Sequence, residues 1–183
     1  MPKIGTHNSG TGEKGSGLLS WLVAPFSKCQ SKTLIEQYKV GCRYFDIRIR
    51  FSLANYKYVL SHGLWESKED AIELLINLDK QANEDYYIAI CYEDTNKEAN
   101  VFKQHIENTL RSALKHAKIV YYASKKPKWQ VIKEYMSVPC VQHFKVLDFS
   151  SWHTLIPIPW LWKKLYYNKP QFNTEVFKLV DFL

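Results

Sequence analysis

No part of this chain constrains its fold more than Tyr86-Tyr-Ile-Ala-Ile-Cys-Tyr92, an unbroken run of apolar and aromatic residues. A half-exposed strand alternates polar with apolar, whereas an uninterrupted run needs cover on both faces, as in a parallel sheet flanked by helices. Amphipathic segments stand on either side of it. The first is a helix expected over residues 67–82, with Ser67 and Asp70 as its N-terminal capping pair and Ala71, Leu74, Leu75 and Leu78 on one face. The second opens on the capping box Thr95-x-x-Glu98, carries Phe102, Ile106, Leu110 and Leu114 at four-residue spacing, and ends near His116.

The rest of the chain continues this alternation. Upstream, residues 1–6 suit a short strand and Asn8–Gly17 a loop, while Leu18–Phe26 is a short apolar piece suited to a helix on a rim. Ser31–Val40 reads as a helix closed by Gly41, followed by strands Cys42–Phe51 and Tyr56–Leu60. Downstream, strands are expected at Ile119–Tyr122, Phe144–Phe149 and Val176–Leu183, with a helix at Trp129–Tyr135; Pro157 and Pro159 rule out a regular helix through that part of Trp152–Tyr167. Repeated β and α units predict an α/β protein with a mainly parallel sheet, either open and doubly wound or closed. The glycines at 10, 12, 15 and 17 lack the G-x-G-x-x-G spacing and the P-loop ending that an open nucleotide-binding fold would want. The expected fold is therefore a small TIM-like β/α barrel, short enough to be incomplete, with residues 1–183 as one domain.

Composition narrows the partners. The formal charge of +7 favours anionic ones, among them lipid head groups and phosphate esters. Four cysteines without C-x-x-C spacing do not form a zinc or disulfide framework. A polar turn at the fifth residue is unlike an export signal, and no apolar run is long enough to span a bilayer, so a cytoplasmic location or an undetermined one is the expectation.

Chemistry in a parallel barrel collects at the carboxyl ends of its strands. His7, Asp46 with Arg48, His62 and Asp181 all fall at or near such ends. Within Tyr44-Phe-Asp-Ile-Arg-Ile-Arg50, the period of two puts Asp46, Arg48 and Arg50 on one face and Phe45, Ile47 and Ile49 on the other. Two imidazoles, one to take a proton and one to give it, with an arginine for the charge on phosphorus, are suited to phosphodiester cleavage. Singly, each residue also fits a solvated loop histidine or a structural ion pair.

Ile4-Gly-Thr-His-Asn-Ser-Gly10, Gly41-Cys-Arg-Tyr-Phe-Asp-Ile-Arg48 and Leu60-Ser-His-Gly63, in this order, resemble the phosphatidylinositol-specific phospholipase C X-domain family, particularly its small, metal-independent bacterial enzymes. Gln30, Ile35-Glu-Gln37 and Leu179-Val-Asp-Phe182 extend the likeness. The resemblance implies a distorted β/α barrel that cleaves phosphatidylinositol-type lipid into diacylglycerol and a cyclic inositol phosphate. It implies His7 as the base for the inositol 2-hydroxyl, Asp181 as its orienting carboxylate and His62 as the acid for the leaving oxygen. Arg48 would stabilise the phosphorus, and Asp46 would fix the arginine and the hydroxyl.

The same resemblance places Arg48 where the calcium-dependent branch has a carboxylate, which implies metal independence and no cofactor. Asn8 is the residue of the calcium-dependent branch, and Asn8, Asp46 and Glu93 are hard oxygen ligands on which a weak Ca2+ site could draw. Asn8 and Glu93 are also the expected substrate-binding residues. Ile88–Asp94 and Lys145–Phe149 do not clearly supply the cations with which the bacterial enzymes bind inositol. A rim of Trp21, Trp160, Trp162, Lys163 and Lys164 would suit a peripheral anionic membrane surface, and core packing suits the same tryptophans equally well. A monomer acting on phospholipid is expected, with no nucleic-acid partner, although a cyclising phosphodiesterase on RNA and a non-catalytic lipid binder share parts of the pattern.

Overall fold

The computed structural model describes residues 3–93, 99–123, 141–143 and 177–180. Its first strand, β1 (Ile4–Thr6), runs into a 3-10 turn (Ser9–Gly12) and then α1 (Gly17–Ser27) and α2 (Leu34–Lys39). The long strand β2 (Cys42–Ser52) is followed by β3 (Lys57–His62), β4 (Trp65–Asp70) and α3 (Ala71–Gln81). Then come β5 (Tyr86–Tyr92), α4 (Ala99–Ala113), β6 (Ala117–Ala123), β7 (Val141–His143) and β8 (Phe177–Val180).

Five parallel pairings join six of these strands in the order β6-β5-β2-β1-β8-β7. The protein is thus mixed α/β with a mostly parallel sheet. β2 is the hub, because Tyr44 pairs with both Gly5 and Tyr87 while Ile49 pairs with both Leu60 and Tyr92. β1 and the antiparallel β3 therefore share one edge of β2 in succession, with β5 along the other. Among the described residues β6 and β7 end the parallel path, with no pairing between them.

The alternation expected of β2 is observed. Phe45, Ile47 and Ile49 enter the larger core with Ile88 and Ile90 of β5, Leu74, Leu75 and Leu78 of α3 and Ile106 and Leu110 of α4. The opposite face begins in a second apolar cluster of Tyr44, Ala89, Phe177 and Leu179, and continues along β2 to Asp46 and Arg48. β5 is buried on both faces, as its unbroken apolar run requires.

Three expectations change. Residues 67–70 are not the start of a helix: they finish β4, and α3 begins at Ala71 with Asp70 alone as its cap, accepting from the Ile72 and Glu73 amides. Ser67 instead accepts from the Leu60 amide at 3.0 Å across the β3–β4 pair, so cross-strand bonding overrides its capping propensity. The helix expected over residues 31–40 shortens to Leu34–Lys39, with a full capping box between Thr33 and Glu36 and Gly41 at φ 100. The polar loop after His7 is a buried turn, since a Cβ on Gly12 would stand 1.7 Å from the Lys32 carbonyl oxygen. The expected helix at 129–135, strand at 144–149 and aromatic segment 152–167 lie outside the described residues.

Candidate active site

The site forms where β1 ends against the middle of β2. Thr6 pairs with Phe45, and the chain after Thr6 turns at once: Asn8 takes the left-handed conformation (φ 46, ψ 48), which asparagine tolerates better than most residues. This turn aims the Asn8 amide N–H at Asp46 Oδ2, 3.0 Å away. Ser9 completes it, its Oγ donating to the Thr6 carbonyl at 2.8 Å and standing 2.9 Å from the Asp46 amide, from which it accepts. From the connection between α1 and α2, Gln30 donates to the His7 carbonyl at 2.9 Å.

Asp46 is 1% exposed and its Oδ2 lies 3.8 Å from His7 Nε2 and 3.9 Å from Arg48 Nη2. Arg48 Nη2 is 3.5 Å from His7 Nε2. A guanidinium can only donate, so a hydrogen bond from Arg48 to a neutral His7 uses the Nε2 lone pair and leaves the ring proton on Nδ1. Arg48 Nη1 reaches Glu93 Oε1 at 3.7 Å, placing the guanidinium between two carboxylates. Glu93 is held at the end of β5 by its amide, which donates to the Ile49 carbonyl at 2.9 Å.

His62 approaches from the end of β3. Its Nδ1 is 2.6 Å from the carbonyl oxygen of Ser27, the last residue of α1, and a carbonyl can only accept, so Nδ1 carries the proton. Its Nε2 lies 3.4 Å from the Asn8 side-chain amide, which also reaches Cys29 Sγ at 3.3 Å. Burial, and then the nearby charge of Arg48, lower the His62 pKa from its usual 6.5 to about 4. The ring is therefore neutral near pH 7 in the free protein, with the lone pair on Nε2.

The structure thus brings together His7, Asn8, Asp46, Arg48, Glu93 and His62. Trp21 is elsewhere, on the open face of α1 and 70% exposed. Asp181, Trp160, Trp162, Lys163 and Lys164 lie outside the described residues. Sequence reasoning missed Ser27 and Ser9. Ser27 acts through its main chain, which leaves no residue-type signal; Ser9 stood inside the noted motif as an unassigned small residue.

No family model matches the chain, and no curated protein does. Solved structures do. Phosphatidylinositol-specific phospholipase C from Listeria monocytogenes matches with a TM-score of 0.51 at 19% identity, over 69% of this chain and 52% of that one. A point mutant of the Staphylococcus aureus enzyme reaches 0.58 at 14% identity, over 98% of this chain and 84% of that one. A second S. aureus structure, concerned with that enzyme's membrane binding, gives 0.58 at 13% identity over 98% and 85%. The chain shares the fold of these bacterial phospholipases, and its match spans about half the length of the Listeria enzyme.

Proposed function

We propose that this chain is a phosphodiesterase that cleaves phosphatidylinositol-type phospholipid into diacylglycerol and a cyclic inositol phosphate. The observation that carries the reading is the convergence of His7, Asp46 and Arg48 at 3.5–3.9 Å, with His62 reached through Asn8. The shared fold supports the reaction class, and a sheet closed as a distorted barrel is part of the same reading.

His7 Nε2 takes the proton of the inositol 2-hydroxyl, whose oxygen attacks the adjacent phosphorus. Holding nucleophile and phosphorus in one molecule supplies the orientation advantage, worth about 7–11 kcal/mol in well-aligned systems. Asp46 beside His7 favours the imidazolium that results. Asp181 is the orienting carboxylate for His7 in this reading; in sequence it follows Val180, the residue that pairs with Thr6 just before His7. Arg48 meets the charge developing on the phosphoryl oxygens.

His62 delivers a proton to the diacylglycerol oxygen as the P–O bond breaks. It is neutral at rest, so it must first bind a proton, and the phosphodiester anion beside it is the charge that favours this. The product is a cyclic phosphodiester, which water can open with the two histidines exchanging roles.

The reaction needs no metal in this reading. Arg48 stands within ion-pair distance of both Asp46 and Glu93 and so takes the place of a cation between them. The open face of α1, with Leu18, Leu19, Trp21, Leu22 and Phe26 all at least half exposed, is the surface offered to the lipid. No described helix is long and apolar enough to cross a membrane.

Phosphorus NMR of products from phosphatidylinositol, glycosylated inositol lipid, an inositol-phosphate aryl ester and RNA tests the reading. A cyclic inositol phosphate is expected, undiminished by EDTA. No turnover of any inositol phosphodiester, with or without calcium, would overturn it, and cyclic ends released from RNA alone would move the activity to another substrate.

A further inference from the structure

Arg50 shares a face of β2 with Asp46 and Arg48, yet it does not join them. Its Nη1 donates to the carbonyl of Gly63 at 2.8 Å, the residue that follows His62, and its Nη2 pairs with Glu66 Oε1 at 3.0 Å. Ser52 donates to the other Glu66 oxygen at 2.8 Å. The Glu66 main chain in turn seats α1: its amide donates to Ser20 Oγ and its carbonyl accepts from the same hydroxyl, both at 3.1 Å, while its carbonyl also accepts from the Ser16 amide at 2.8 Å.

Only Ser20 and Ser27 of α1 are fully buried. One is clamped by Glu66; the other presents its carbonyl to His62 Nδ1. Connections therefore run in a closed ring, from the His62 backbone through Gly63, Arg50, Glu66 and Ser20 to α1, and back through Ser27 to the His62 imidazole. Beneath the seat, a Cβ on Gly15 would stand 2.9 Å from the Trp65 indole nitrogen and 3.0 Å from Ser20 Cβ, so the helix has little room to shift toward β4.

We infer that the Arg50–Glu66 pair is a positioning device for His62, holding its backbone and, through the seating of α1, the Ser27 carbonyl that selects its ring tautomer. This deepens the proposed function and rests on it for the acid role, but the geometry it describes is independent of any substrate. With each side chain 23% exposed the pair is only partly screened by water, but stability is not the effect that sets it apart. Its effect is instead on alignment, where a displacement of about 1 Å can cost about a hundredfold in rate.

Kinetics on phosphatidylinositol and nitrogen-15 NMR of the histidine rings at neutral pH, recorded for Arg50→Gln, test this. The variant should lose about tenfold to a hundredfold in kcat with KM within about twofold. The His62 ring should lose the protonated-Nδ1 signature that it shows in the parent chain. Arg50→Lys, which keeps a donor for the Gly63 carbonyl and a cation for Glu66, should recover much of both. Ser20→Ala, which loosens α1 without touching the pair, should move the two readouts in the same direction and stands in if Arg50→Gln does not fold.

A raised KM at constant kcat would make Arg50 a phosphate ligand and overturn the inference, as would an unchanged kcat and tautomer. If the parent chain turns over no phosphodiester, the phosphodiesterase reading fails separately and the NMR comparison alone decides: loss of the Nδ1 signature upholds the positioning role, and its retention overturns it.

Discussion

His62 is the residue whose environment most shapes how the site can work. Its folded-state pKa of about 4 lies below the unfolded value of 6.5, so between these values the unfolded chain binds the additional proton. Stability contributed by the neutral, Ser27-bonded ring is present above about pH 6.5 and is lost as pH falls toward 4. Thermal unfolding from pH 7 to pH 4 should show this decline, and His62→Gln should flatten it; equal slopes in the two proteins would mean that other groups govern it. Asn8→Asp would set a carboxylate where the amide now lies 3.4 Å from His62 Nε2. It should raise the His62 pKa from about 4 toward its ordinary value, as read by NMR titration. For turnover itself, His7→Ala and His62→Ala should each lose about a thousandfold or more in kcat. Arg48→Lys should cost about a hundredfold, because a lysine cannot span Asp46 and Glu93 as the planar fork does.

At the scale of elements, Asp79 near the end of α3 ties three segments together. Its Oδ1 accepts from the Tyr86 hydroxyl at 3.1 Å and from the His116 and Ala117 amides at 3.0 and 3.2 Å, while Oδ2 accepts from the Lys115 amide at 2.7 Å. The turn entering β6 is thus satisfied by a side chain from another helix. Asp79→Ala leaves these donors without partners and should destabilise the fold by about 2–3 kcal/mol in urea unfolding. A change below about half a kcal/mol would show that water replaces the carboxylate. α1 illustrates the opposite case, a helix with little buried surface of its own. Trp21→Ser with Leu22→Ser should leave the unfolding midpoint nearly unchanged and weaken flotation with phosphatidylglycerol vesicles, as expected if that face meets lipid.

Over the whole molecule, the charge of +7 predicts that vesicle binding weakens as salt rises from 0.05 to 0.5 M, through screening lengths of about 14 to 4 Å. Much of the architecture was legible in residue order. The unbroken run Tyr86–Tyr92 demanded cover on both faces, and β5 has it; the period of two in β2 separated Phe45, Ile47 and Ile49 from Asp46 and Arg48 correctly. These readings succeed because burial acts on side-chain type and spacing, which are local properties. Ser67 shows where locality ends: its capping preference was real, but Leu60 across the β3–β4 pair used the hydroxyl first. The histidines divide along the same line. Their types and neighbours marked His7 and His62 as candidate site residues from the sequence alone, and the fold brings both to one site. Which nitrogen of each carries the proton was decided only by the tertiary structure, because the Arg48 guanidinium and the Ser27 carbonyl that decide it lie 41 and 35 residues away in the chain and meet the rings only once β2 and α1 are in place.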